Sequence, residues 1–201
     1  MNKIALAFST LLLTACAVQP MSPVQGNIAP QIQSLNAQRN TLTAQSALPI
    51  ALENIKQVDP NAQLFEIDVW QEAAGKSLHY GFISSIQEQA LKVIINAETQ
   101  EAHIEDTPQQ NKALINRAHW KLDNTQIYAR AQQYGLRDQT YLATLWEDTW
   151  HISGLKQDLY FQMDSQNGAI KLRCIGPYLN NCTGDDGQPV QRVQNQGLQA
   201  H

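Results

Sequence analysis

The sequence is poor in charge, in cysteine and in long apolar runs, and each shortage removes a class of function. Charged residues make up 16% of the 201 positions, and 14 Lys and Arg against 18 Asp and Glu leave a net charge of −4. That balance offers no basic field to a phosphate backbone, so the expected partners include no nucleic acid. Nowhere do apolar residues run for the roughly 20 positions that a membrane-spanning helix needs. The three cysteines, Cys16, Cys174 and Cys182, lack the company of further ligands that a metal site wants. His-x-x-x-His, Cys-x-x-Cys, Gly-x-Ser-x-Gly and phosphate-loop patterns are all missing. The expectation is therefore a protein with no metal and no cofactor.

What is present begins at the N-terminus. Lys3 supplies a positive start, residues 4–13 form a short apolar stretch, and Leu13-Thr14-Ala15-Cys16 follows. This arrangement resembles the lipobox of bacterial lipoproteins, in which the cysteine thiol takes a diacylglyceryl group and the chain is cut just before it. An ordinary secretory signal with a cysteine at its cut site is the alternative. The resemblance implies a leader over residues 1–15 and a lipid on Cys16, so that one partner is the membrane itself. Several acyl chains hold stably where a single chain holds only reversibly. Ala17 after the cysteine, rather than Asp, implies a periplasm-facing lipoprotein of the outer membrane in a Gram-negative cell, and otherwise a lipid-anchored protein of the cell membrane. In so oxidising a compartment Cys174 and Cys182 read as a structural disulfide closing Cys-Ile-Gly-Pro-Tyr-Leu-Asn-Asn-Cys. Loop entropy makes such a bridge worth about 2–3 kcal/mol.

Residues 16–46 are rich in Gln, Asn, Ser and Pro and read as a flexible lipidated tether, and residues 185–201 read as a flexible tail. Between them the chain repeats itself. At a shift of 76 residues, positions 51–72 lie over 127–148, so that Phe65 meets Tyr141, Val69 meets Leu145 and Trp70 meets Trp146. At a shift of 66, positions 93–99 lie over 159–165. Two unrelated α+β segments could share such a pattern, but two blocks in the same order and a shared Trp favour duplication. The fold class expected is α+β, with a first unit over residues 47–106, a linker over 107–121 and a second unit over 122–184. Each unit reads as one helix followed by an antiparallel sheet.

Local signals support that reading. Leu48, Ala51, Leu52, Ile55 and Val58 form an apolar stripe at helical spacing, which Asp59-Pro60 ends. Asp123 with Gln126 is a helix-start signature, Ile127, Ala131 and Tyr134 share a face, and Gly135 is a left-handed stop. Alternation then places Phe65, Ile67 and Val69 on one side of a strand and Glu66, Asp68 and Trp70 on the other; Tyr141–Leu145 alternates likewise, with Trp146 opposed. Further strands are expected near residues 78–84, 93–97, 102–105, 150–154, 159–163 and 169–172, with a turn at Asn167-Gly168. Residues 107–110 could cap a short helix, or Trp120 could open a strand.

The end of the second unit, Phe161-Gln162-Met163-Asp164-Ser165-Gln166-Asn167-Gly168-Ala169-Ile170, resembles the PepSY family, small domains of one helix on an antiparallel sheet. The first unit has Ile95-Asn96-Ala97-Glu98-Thr99-Gln100-Glu101-Ala102 at that place and departs by lacking the glycine. Tandem copies are similar to the β-lactamase-inhibitor-protein architecture, whose sheet surface grips a protein. The resemblance implies binding, and restraint of a peptidase as one form of it.

An enzyme would need a nucleophile, a base or a metal cluster. His151 lies near Glu147 and Asp148, but Glu147 and His151 are about 13 Å apart by strand rise. His151 and His79, which occupy comparable places, read as structural or solvated. The carboxylates of Glu66, Asp68, Glu147 and Asp148 read as a solvated face and hairpin. A binding role fits better. If the helices cover the Phe65 side, then Trp70, Trp146, Tyr160 and Ile94 share the opposite face, where aromatic rings anchor protein interfaces. Equally, the two Trp could pack against each other between the units. The function expected is non-catalytic binding of another envelope protein, with restraint of a periplasmic peptidase as one form of it; an envelope assembly or small-ligand accessory factor is the alternative.

Overall fold

The computed structural model describes residues 42–86, 89–108 and 113–190. Cys16, the leader, most of the tether and residues 191–201 lie outside them. So do residues 109–112, and no helix forms on either side of that gap.

Thr43 opens the first helix, α1 (Ala44–Val58), through a capping box with Ser46. The buried stripe is Ala44, Ala47, Leu48, Ala51 and Ile55, whereas Val58 stands 41% exposed and does not belong to it. Four strands follow: β1 (Gln63–Glu72), β2 (Gly75–Ile83), β3 (Ala90–Asn96) and β4 (Ala102–Thr107). The same succession then recurs, as α2 (Asn124–Gln133), β5 (Tyr141–Trp146), β6 (Thr149–Gly154), β7 (Leu159–Asp164) and β8 (Ile170–Ile175). Two further strands, β9 (Asn181–Gly184) and β10 (Pro189–Val190), complete the chain that is described. The expected flexible tail from residue 185 is thus a hairpin as far as Val190, paired through Pro189–Thr183 and Val190–Cys182. Trp120 opens no strand; it is buried, edge-on to Trp150, and both indole N–H groups donate to the Leu122 carbonyl.

All ten strands form one antiparallel sheet in the order β10-β9-β8-β7-β6-β5-β1-β2-β3-β4. The join between the two successions is β1 against β5, with Asp68 directly opposite Thr144. One face carries Ile67, Val69, Leu78, Tyr80, Leu145 and Trp150 in a single buried cluster with the helix residues Ala47, Ile55 and Ile127. Both helices therefore cover the same side of the sheet.

Where the two helices begin, they share one carboxylate. Asp123 accepts from the Asn124 amide of its own helix (2.8 Å) and from the Gln45 amide of α1 (3.2 Å). Asn124 reinforces the junction by accepting from the Ala44 amide at 2.9 Å. A carboxylate at a helix N-terminus meets unpaired N–H groups and the positive end of the dipole, and here it serves two at once. Beneath it the Lys76 ammonium donates to the Leu42 carbonyl and the Tyr80 hydroxyl to the Ala44 carbonyl. Burial pushes the Lys76 pKa down, against the pull of Asp123, and pushes the Tyr80 pKa up.

Each helix is also tied to the far side of its sheet by an aspartate. Asp59 accepts from the Ser85 hydroxyl and amide, the Asn61 amide and the Ser84 hydroxyl. Burial alone would raise its pKa, but those bonds outweigh it and hold the carboxyl at about 2. Asp138 does the same after α2, accepting from the Thr140 amide and hydroxyl and the Lys156 amide.

Like local features of the two successions do not all stand at the two shifts read from sequence, 76 for residues 51–72 and 66 for residues 93–99. The helix caps, Thr43 and Asp123, match at 80 residues, as do the buried Ala47 and Ile127. The hairpin turns match at 68: Asn96 and Asp164 each accept from two amides of the following turn, and Gln100 (φ 61) stands where Gly168 (φ 71) does. Only the β1 and β5 block keeps its spacing of 76.

Phe65 also departs from expectation. A bulge between Leu64 and Glu66 lets Leu64 face the helices and turns Phe65 to the other side. There its buried ring covers Gly81, where an added Cβ would come 2.8 Å from the Phe65 Cζ. The strand pairing needs a residue without a side chain at that point. Gly81→Ala is expected to destabilise the fold by about 1–3 kcal/mol through overpacking. A second substitution, Phe65→Leu, should return part of that loss in a chemical denaturation series.

Candidate functional site

The face away from the helices is where the chain's polar and aromatic side chains meet. Cross-strand pairing puts Ile94, His79, Asp68, Thr144, His151 and Gln162 in one row across five neighbouring backbone pairings. With strands about 4.8 Å apart, the two histidines lie about 14 Å from each other. At the centre Thr144 Oγ1 donates to Asp68 Oδ1 at 2.8 Å, and the Lys92 ammonium lies 3.6 Å from Asp68 Oδ2. Both partners of that ion pair are half-buried or more.

A Trp–His pair flanks the centre on each side. Trp70 and His79 have ring centroids 6.4 Å apart, and Trp146 stacks on His151 at 5.8 Å. Trp70 is half-buried and Trp146 is 38% exposed. Each ring packs on a histidine of its own strand pair. The two Trp sit four positions apart along paired strands, about 13 Å by strand rise. On the outer side His151 Nδ1 shares a 2.6 Å hydrogen bond with the Tyr160 hydroxyl, which also accepts from Gln162 Nε2 at 3.0 Å. On the other side Ser77 Oγ and His79 Nε2 lie 3.0 Å apart.

All four side chains named from sequence, Trp70, Trp146, Tyr160 and Ile94, fall on this face. Ile94 and Tyr160 do not occupy matching places, however. Ile94 stands opposite His79, and the residue opposite His151 is Gln162. The place of Tyr160 is matched by Lys92, at the spacing of 68 given by the turns. The carboxylates also need correcting. Glu66 is only 9% exposed, because the bulge sets it beside Phe65 over Gly81, between β2 and Trp146. Asp68 is held by Lys92 and Thr144. Asp148 pairs with Lys171 at 3.3 Å in the β5–β6 turn, and its pKa is lowered by the Thr149 hydroxyl and by Lys171. The face is a bonded network.

The pairing of each Trp with a His is what sequence reading missed. Part of its signal was present: His79 and His151 occupy comparable places, each on the strand after that of its Trp, nine positions after Trp70 and five after Trp146. Cys174 and Cys182 are directly opposed on β8 and β9 and form a disulfide, both buried.

Among the described residues no helix is long and apolar enough to cross a membrane, and no three His, Cys, Asp or Glu side chains converge to hold a metal ion. No protein-family model matches the chain, and no curated protein aligns with it. Among solved structures it is similar to a putative lipoprotein from Clostridium difficile 630, with a TM-score of 0.48 and 13% identity over 64% of this chain and 90% of that one. At that level the likeness adds nothing to what the geometry itself shows.

His79 gives the site a measurable property. Burial pushes its pKa down to about 4, Lys92 and His103 add to the shift, and Glu105 opposes it. The ring is neutral at pH 7 and meets Trp70 at a tilt of 35° as an uncharged partner. Because the unfolded chain takes up this proton first, near pH 6.5, stability should fall as pH drops from 6.5 towards 4 and level off below that. Imidazole resonances followed by NMR should show His79 titrating about two pH units below the ordinary histidine value of about 6.5. A midpoint for His79 near 6.5 would contradict the burial described.

Proposed function

We propose that this chain is a lipid-anchored bacterial envelope protein of two repeated PepSY-like units, which binds another protein through the helix-free face of its sheet. The observation that carries the reading is the pair of Trp–His ring contacts, one tilted and one stacked, disposed about Asp68 and Thr144. Those two residues are cross-strand partners and are also 76 residues apart, the spacing at which Trp70 matches Trp146. The point where the units join is thus their axis of pseudo-symmetry, and each unit contributes one Trp–His pair to a common surface.

Composition supports binding over catalysis. Trp and Tyr offer large rigid contact area with a polar edge, the usual anchors of a protein interface. The hydrogen bonds of His151, Tyr160, Gln162, Asp68 and Thr144, with the Lys92–Asp68 ion pair, hold the polar groups in place before a partner arrives, which reduces the ordering cost of association. A peptidase is the partner class that the PepSY resemblance implies, and restraint is the effect. The Leu13-Thr14-Ala15-Cys16 motif supports the anchor and, with it, a partner within reach of the membrane surface.

Two measurements test this. Cys16→Ala should abolish incorporation of radiolabelled palmitate and move the protein from the membrane to the soluble fraction of a cell lysate; unchanged labelling would refute the anchor. For the face, the lipidated protein is captured from crosslinked envelopes in its natural form and as Trp70→Ala/Trp146→Ala. A co-purifying protein whose recovery falls at least tenfold in the double variant is expected. Equal recovery from both would place binding elsewhere.

A further inference from the structure

We propose that the outer edge of β4 is a homodimer interface, at which two copies of this chain pair antiparallel about Ile104 and join their sheets. Among the described residues β4 pairs with β3 alone, and the sheet ends there. The opposite end of the sheet is β10, a short strand begun by Pro189, which has no N–H to offer a further strand. The β4 edge has no such guard. Ala102–Thr107 is a regular strand without proline or bulge.

The outward-facing backbone groups follow from the ladder. The Asn96 amide donates to the Glu101 carbonyl at 3.0 Å, which makes that a bonded pair. Bonded and non-bonded pairs alternate along antiparallel strands, so His103 bonds to Ile94 and Glu105 to Lys92. The N–H and C=O groups of Ala102, Ile104 and Asp106 therefore point away from β3, along the open edge. The Ala102 and Ile104 side chains are only partly buried against the core, so an added strand would complete their cover.

Charge selects the occupant. Like charges directly opposed destabilise a strand pair. His103 and Glu105 share the helix-free face, with His103 Nε2 3.1 Å from Glu105 Oε1. A second β4 has two antiparallel registers that match outward groups to outward groups over most of the strand. One is centred on Glu105 and sets that carboxylate against its own copy. The other is centred on Ile104. It sets His103 of each copy opposite Glu105 of the other, Ala102 opposite Asp106, and the two Ile104 side chains against each other. Four polar groups then alternate, ring against carboxylate, around the two-fold axis. Charged side chains ordinarily keep an edge strand single. Here they admit a copy of the same strand, in one register.

Opposed residues keep their faces in that register, so the axis stands perpendicular to the sheet. Both helix layers lie on one side and both helix-free faces lie side by side on the other. α1 packs on β2, β3 and β4, and β3 of one copy lies three strand spacings, about 14 Å, from β3 of the other. Two helices about 10–12 Å across fit over that distance. The inference does not depend on what the helix-free face binds.

The test uses the full chain in its native envelope, coexpressed under two tags as Glu101→Cys and Thr107→Cys. Those positions face each other across the edge only in the register centred on Ile104. Cys174 and Cys182 are already joined. A disulfide from residue 101 of one chain to residue 107 of the other is expected, identified by mass spectrometry of the linked peptides. Neither reporter expressed alone should link to its like. Asp106→Pro, which removes an outward N–H and no bond to β3, should cut the yield at least tenfold. A second arm reads charge in trans. His103→Glu in both tagged chains, or Glu105→His in both, should lower the yield at least tenfold, and His103→Glu in one with Glu105→His in the other should restore it. An edge filled by the chain's own residues 17–41 or by another protein would give no such disulfide. Its absence, an undiminished yield with Asp106→Pro, or equal yields from matched and mixed charge variants would overturn the proposal.

Discussion

The antiparallel pairing of β1 with β5 is the contact on which the rest of the molecule depends. Without it there would be a four-stranded and a six-stranded sheet, each with an exposed edge of unpaired backbone groups, a known hazard for aggregation. With it there is one ten-stranded sheet whose interior edges have vanished. The pairing also fixes register: a slip of one residue would carry Ile67, Val69, Ala143 and Leu145 out of the core and Trp70 and Trp146 into it. The polar row and the two Trp–His pairs are therefore consequences of one strand pairing.

A second constraint orients the helices on that sheet. The Asp123 carboxylate serves the first turn of both, so neither helix can shift along the sheet without leaving amide groups unpaired at a buried site. Asp59 and Asp138 tie the other ends. The helix side is thereby locked by carboxylates facing N–H and O–H donors, and the opposite face carries a separate polar and aromatic network.

The α+β class, the start of α2 and most strands were legible because hydrophobic periodicity differs between helix and strand, whereas α1 begins at Ala44, inside the expected tether. The same periodicity explains the errors. The helix block was displaced by four residues and the hairpin block by two, and these are the steps that return a side chain to the same face of a helix or a strand. An apolar pattern cannot detect a slip by its own period; cap and turn chemistry at Thr43, Asp123, Asn96 and Asp164 can. The Phe65 bulge left no mark in Leu64-Phe65-Glu66-Ile67, since three apolar residues around one carboxylate satisfy either register.

Native-state hydrogen exchange tests the fused sheet most directly. The account predicts that the paired amides within residues 66–71 and 141–146 exchange only by global unfolding, as slowly as those at the centres of β2 and β6. Exchange at the β1–β5 junction that is faster than at β2 and β6, and independent of global stability, would mean that the two halves separate in the native state. In that case they would present no common face.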